Sequence, residues 1–212
     1  MKKTVLTLLC LGFFSSPLLA ATRAQLQDYQ ILKETAFSPE HTLGERWAAL
    51  QSMGKEDFQI SKGDLIAALQ SKEWFVRNAA LLALPKTHRT FVREWSERLL
   101  FDKALVVRTQ AIKNLIEIKA QESWPEIFRA LNHKMNFHGN YSLWIRPYLA
   151  KALALYPPKD WKNVYRKMLT DKDPQVQVWA VIGLEEKSGL HLGDKKDSME
   201  SKRMKWLNYF KS

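Results

Sequence analysis

The sequence predicts an all-α fold, built as a stack of about five helix–turn–helix units. Three observations carry this reading. A short motif recurs with a period of 31 residues, its apolar residues fall at helical offsets, and a polar residue stands five places before each copy. The copies are anchored at Glu45, Val76, Val107, Ile145 and Val176, and the step from 107 to 145 is seven residues longer than the others. Four places after the anchors come Ala49, Ala80, Ala111, Leu149 and Ala180. Five places after come Leu50, Leu81, Ile112, Ala150 and Val181, and eight places after come Met53, Leu84, Leu115, Leu153 and Leu184. Offsets 0, 4, 5 and 8 mark one side of a helix, the side expected to be core.

The first 21 residues read as a cleaved signal peptide, with Lys2-Lys3 as a cationic head, an apolar run from Val5 to Phe14, the breaker Pro17 and small residues at Ala20-Ala21. A mature chain starting there would hold no cysteine, since the single one is Cys10, and it would carry a charge of about +9. Cysteine-free chains suit an oxidising compartment, so the expected location is periplasmic or secreted. Residues 22–192 form the repeat domain. Each of the last four copies follows an upstream apolar helix, at Leu65–Leu69, Trp95–Leu100, Ile127–Leu131 and Val164–Leu169. Ser123-Trp124-Pro125-Glu126 reads as a capping box with proline in the first turn. The polar turn column is Glu40, Ser71, Asp102, Asn140 and Asp171. Residues 193–212 form a basic amphipathic segment with Met204, Leu207 and Phe210 on one side, expected to be a helix capping the open end of the stack.

The stretches Asp102 to Leu115 and Asp171 to Leu184 resemble HEAT repeats of the short kind related to the bilin (PBS) lyases of bacteria: an aspartate turn, then Val-Arg, then Ala and Leu at helical spacing. The resemblance covers roughly Gln25 to Ser188. It implies a right-handed, armadillo-like α-solenoid of HEAT-like repeats. It also implies that the arginine after each anchor reaches the turn residue of a neighbouring unit, so that Arg46, Arg77, Arg108 and Arg146 with Asp102, Asn140 and Asp171 form a structural ladder. Three departures stand out. Glu45 replaces the valine of unit one, Gln177 replaces the arginine of unit five, and unit four carries Pro147 inside its second helix.

The extra seven residues of unit four fall at His133 to Gly139. An insertion in a repeat stack usually emerges as a surface loop, so His133, Lys134, Asn136, Phe137 and His138 are the candidate binding residues. Of the eight tryptophans, Trp74, Trp144 and Trp179 adjoin the anchors and are expected to pack between helices. Trp124, Trp161 and Trp206 flank helices and are expected to be partly exposed.

Composition limits the function classes. Hydrophobic residues at 46% and charged residues at 26% exclude wholesale disorder, and one cysteine excludes a disulfide framework or a Cys-rich zinc site. The sequence contains no GxSxG, HExxH, phosphate-binding glycine loop or dinucleotide fingerprint. His41, His88, His133, His138 and His191 fall at no metal-ligand spacing, and the His-Glu pairs of iron-binding helical-repeat hydroxylases are missing. No catalytic residues, metal or cofactor are therefore expected. The expected function is a non-enzymatic, monomeric scaffold of the cell envelope that binds a protein or peptide partner. The net charge of +11 supports a second reading, binding of a polyanion such as nucleic acid, anionic lipid or cell-wall polymer.

Overall fold

A computed structural model describes residues 17–211. The cationic head and apolar run of the expected signal peptide lie outside the described residues. The described chain is all-α apart from one two-stranded hairpin. Its helices are α1 (Pro17–Phe37), α2 (Leu43–Met53), α3 (Phe58–Leu69), α4 (Trp74–Ala83), α5 (Arg89–Leu99), α6 (Leu105–Glu117), α7 (Trp124–Leu131), α8 (Ile145–Leu155), α9 (Trp161–Leu169), α10 (Pro174–Ser188) and α11 (Met199–Tyr209).

Each odd helix from α1 to α9 packs on the even helix that follows it, and α2, α4, α6, α8 and α10 pack on one another in that order. The even helices are those that carry the repeated anchors. Every residue at offsets 4, 5 and 8 is buried, as are Val76, Val107, Ile145 and Val176, and together they form one continuous core from Tyr29 to Trp206. The alanines of this core let neighbouring helices approach closely, while the leucines fill the space behind them. α1 packs on α2 as the upstream helix of the first pair, and α11 packs on α10 and α9 through its buried Trp206.

The departures from the repeat have local explanations. Glu45 is exposed and does not serve as an anchor. It closes a capping box in which its carboxylate accepts the Thr42 N–H at 2.8 Å and its own N–H donates to Thr42 Oγ1 at 3.3 Å. Pro147 is the third residue of α8, within the first turn, where its missing N–H has no intrahelical acceptor to lose. The box expected at Ser123 does not form. Ser123 is buried at the end of a 3-10 turn, and its hydroxyl donates to Glu97 Oε1 at 2.6 Å. A cross-helix carboxylate thus takes the hydroxyl that the local motif would have used.

Candidate functional site

The arginines of the repeat are nearly fully buried and each spans from its own unit to the next. Arg46 donates to both oxygens of Glu73 at 2.9 and 3.1 Å, Arg77 to both oxygens of Asp102 at 2.6 and 2.7 Å, and Arg146 to both oxygens of Asp171 at 2.6 and 3.1 Å. Two-pronged geometry of this kind suits the planar guanidinium. The Arg77 guanidinium also donates to the Ser71 and Lys72 carbonyls, and that of Arg108 to the Asp102 and Lys103 carbonyls, so each arginine ties its own turn as well as the next one. Gln177 keeps the inward bond, to the Asp171 carbonyl at 2.5 Å.

The third rung differs from the expected one. Asn140 is exposed and bonds no arginine; the side chain that receives Arg108 is Asn136, at 2.9 Å, together with the Met135 carbonyl at 2.8 Å. Asn136 is 1% exposed, and its amide also donates to the Ala130 carbonyl at 2.7 Å. The insertion explains the substitution. A 3-10 turn at Lys134–Asn136 brings Asn136 to the place a turn residue occupies elsewhere. The surplus chain then projects as the hairpin β1 (Phe137–His138) and β2 (Tyr141–Ser142), with Phe137 opposite Ser142 and His138 opposite Tyr141. Gly139 leads the two-residue turn at φ +58°, the left-handed position a II′ hairpin requires.

The candidate loop is therefore divided. Asn136 belongs to the framework. The Phe137 ring lies 4.3 Å from the Arg146 guanidinium, much as Phe75 lies 4.7 Å from that of Arg46. His133 accepts the Met135 N–H at 3.3 Å and meets Phe101 edge-on. Only Lys134 and His138 of the five candidates stand exposed, with Tyr141 beside them at the hairpin.

Three of the six tryptophans, Trp74, Trp144 and Trp206, depart from the expected pattern. Trp74 and Trp144 are each 52% exposed, whereas Trp206 is 1% exposed. Trp124, Trp161 and Trp179 are half-buried. The exposed rings mark a second side of the even helices. On α8, Trp144, Tyr148, Lys151 and Leu155 follow the spacing i, i+4, i+7, i+11, about 150° round the helix from the core columns. The same offsets hold Val106, Gln110, Lys113 and Glu117 on α6, and Gln175, Trp179, Ile182 and Glu186 on α10.

These stripes lie side by side. Lys113 Nζ of α6 is 5.8 Å from the centroid of Tyr148 on α8, and Lys151 Nζ of α8 is 5.8 Å from the ring of Trp179 on α10. Both pairs join offset 6 of one unit to offset 3 of the next. Trp144 meets Tyr148 edge-on at 6.3 Å. The result is a surface of aromatic rings interleaved with ammonium groups, fit to stack on planar groups and attract anions. Sequence reasoning missed it because the tryptophans were read by their nearness to the anchors; the i, i+4, i+7, i+11 spacing was the available signal.

Beyond this surface, Lys86 is a partly buried cation. It donates to Asn114 Oδ1 at 2.8 Å and lies 3.4 Å from Glu117, and burial lowers its pKa. Burial likewise pushes the Tyr165 phenol above its ordinary range, and its hydroxyl donates to the Leu153 carbonyl at 2.7 Å. Both groups bond to the framework. Among the described residues, no group of three or more His, Cys, Asp or Glu is placed to hold a metal ion, and no helix is long and apolar enough to cross a membrane.

No protein-family profile matches the chain, and no curated protein does. Among solved structures, an engineered protein from the Northeast Structural Genomics Consortium is similar, with a TM-score of 0.49 and 16% identity over 87% of this chain and 96% of that one.

Proposed function

We propose that this chain is an exported, non-enzymatic α-solenoid of five HEAT-like helix pairs that binds a protein or peptide partner in the cell envelope, on the face formed by α6, α8 and α10. The observation that carries this reading is the exposed Trp144–Tyr148 pair with Lys113 and Lys151 beside it. Large rings left in water cost hydration free energy, and a ring cluster on otherwise polar helices is what a partner surface requires. The ladder arginines are spent within the framework, each bonded to a neighbouring turn, and so do not compete with the aromatic face as a binding surface.

The test is capture from envelope extract by the immobilised protein, wild type against the Trp144→Ala/Tyr148→Ala double variant. The proposal expects a partner retained by the wild type and lost by the variant at an unchanged melting temperature. A captured partner indifferent to the double substitution would overturn the assignment of this face. The polyanion reading draws on the same two lysines and predicts a different readout, a steep loss of binding with salt that the aromatic substitutions barely alter.

A further inference from the structure

The aromatic face carries a preference in charge and in spacing. Neither α4 nor α8 contains a carboxylate; the two carboxylates on the stripes are Glu117 of α6, which lies beside Lys86 at 3.4 Å, and Glu186 at the far end of α10. Lys113 and Lys151 stand in this setting over Tyr148 and Trp179, with no ion-pair partner among the described residues. Some other cations are matched, as Arg93 is to Glu97 and Glu122, Lys202 to Glu185 and Lys205 to Asp197. The two unpaired ammonium groups are therefore open to a carboxylate-bearing ligand.

Spacing narrows the ligand further. Lys113 and Lys151 occupy the same offset on α6 and α8, which pack directly on each other. Packed helices run about 8–10 Å apart, so equivalent positions recur across the face at about that interval. A β-strand returns a side chain to the same face every ~7 Å and falls out of step. A helical ligand meets the interval only at every seventh residue, with one carboxylate per two turns facing the surface. A polyproline II segment rises ~3.1 Å per residue with three residues per turn, so every third side chain shares a face at about 9 Å. Its proline rings also present flat apolar sides to aromatic residues, and it enters already extended, with little entropy left to lose.

We propose that the α6–α8–α10 face binds an acidic, proline-rich segment in the polyproline II conformation, its carboxylates three residues apart meeting Lys113 and Lys151 and its prolines lying on Trp144 and Tyr148. The inference rests on the scaffold reading above and adds the chemistry of the partner.

Fluorescence anisotropy with a labelled peptide of four Glu-Pro-Pro repeats tests it against the same peptide with Gln for Glu, an oligoglutamate of equal charge and a single-stranded oligonucleotide. The wild type should bind the Glu-Pro-Pro peptide about tenfold more tightly than the Gln form, two partly exposed charge pairs together being worth about one decade. The Lys113→Gln/Lys151→Gln variant should bind both peptides alike, and Trp144→Ala should weaken both. Melting curves establish that the variants are folded, since all three positions lie on the surface. Equal binding of the Glu and Gln peptides by the wild type overturns the inference. So does oligoglutamate or oligonucleotide binding as tight as that of Glu-Pro-Pro, which would make the face a polyanion surface. Failure of the Glu-Pro-Pro peptide to bind, alongside partner capture that still depends on Trp144 and Tyr148, overturns this inference alone; loss of that dependence overturns the scaffold reading as well.

Discussion

Arg108 and Asn136 are joined by a 2.9 Å hydrogen bond at the one rung where the acceptor is neutral; Arg46, Arg77 and Arg146 meet carboxylates. Asn136 is used because the site needs both an acceptor for Arg108 and a donor for the Ala130 carbonyl, and a carboxylate supplies only the first. Burial lowers the pKa of Arg108, with Asp102 opposing the shift. Asn136→Ala should therefore cost about 1–3 kcal/mol in a denaturant melt, the range for a buried polar group left unpaired. Deleting residues 133–139 should destabilise the fold, because it removes this rung; read as a surface loop alone, the segment would have been dispensable. Lys134→Ala and His138→Ala, at exposed positions, should fall within about 0.5 kcal/mol of wild type.

The rungs differ in burial and so in their response to substitution. Asp102 and Arg77 are both almost wholly enclosed, whereas the Glu73 side chain is half exposed. Asp102→Ala strands a buried guanidinium and should cost about 3–5 kcal/mol. Glu73→Gln should cost about 1 kcal/mol or less at neutral pH. The hydrogen bonds from Arg46 hold the Glu73 carboxyl below the usual carboxylate range. Its contribution is thus present above the unfolded-state pKa and is lost as pH falls through the folded one. Melting temperatures measured from about pH 7 down to about pH 3 should decline less steeply for Glu73→Gln than for wild type.

Gly183 lies against Tyr165, and a Cβ added there would sit 2.6 Å from the ring. The ring cannot swing aside without breaking the bond from its hydroxyl to the Leu153 carbonyl. Gly183→Ala should therefore destabilise by about 1–3 kcal/mol, although alanine is the better helix former. Ala111→Glu, at a fully buried core position, should cost about 3–5 kcal/mol. Thermal or chemical melts check both.

Two tryptophans should separate stability from binding. Trp206 is the buried residue of α11, and Trp206→Ala should cost about 3–5 kcal/mol and loosen the C-terminal end. Trp144→Ala should change stability by less than about 1 kcal/mol while weakening partner capture. Paired melts and binding titrations of the two variants give the comparison.

Export predicts a processed N-terminus. N-terminal sequencing of the protein from its native cell should begin at Ala21 or Thr22. An intact Met1 would overturn the envelope assignment.

Helix content and core were legible in the sequence because both depend on local periodicity. Apolar residues at offsets 0, 4, 5 and 8 form one face of any helix containing them, and the residues at those offsets are buried from Ala49 to Leu184. The same periodicity placed an arginine beside the core in four units. The acceptor each arginine meets was decided by tertiary structure, since it depends on where the following turn comes to rest. Thus Arg46 reaches Glu73 two residues beyond Ser71, and Arg108 reaches Asn136 while Asn140 turns out to solvent. Exposure of Trp144 and burial of Trp206 are likewise products of assembly. An aromatic side chain is packed or left in water according to whether another helix covers it, and Trp206 of α11 is covered where α11 docks on α10 and α9, while the stripe of α8 is left open.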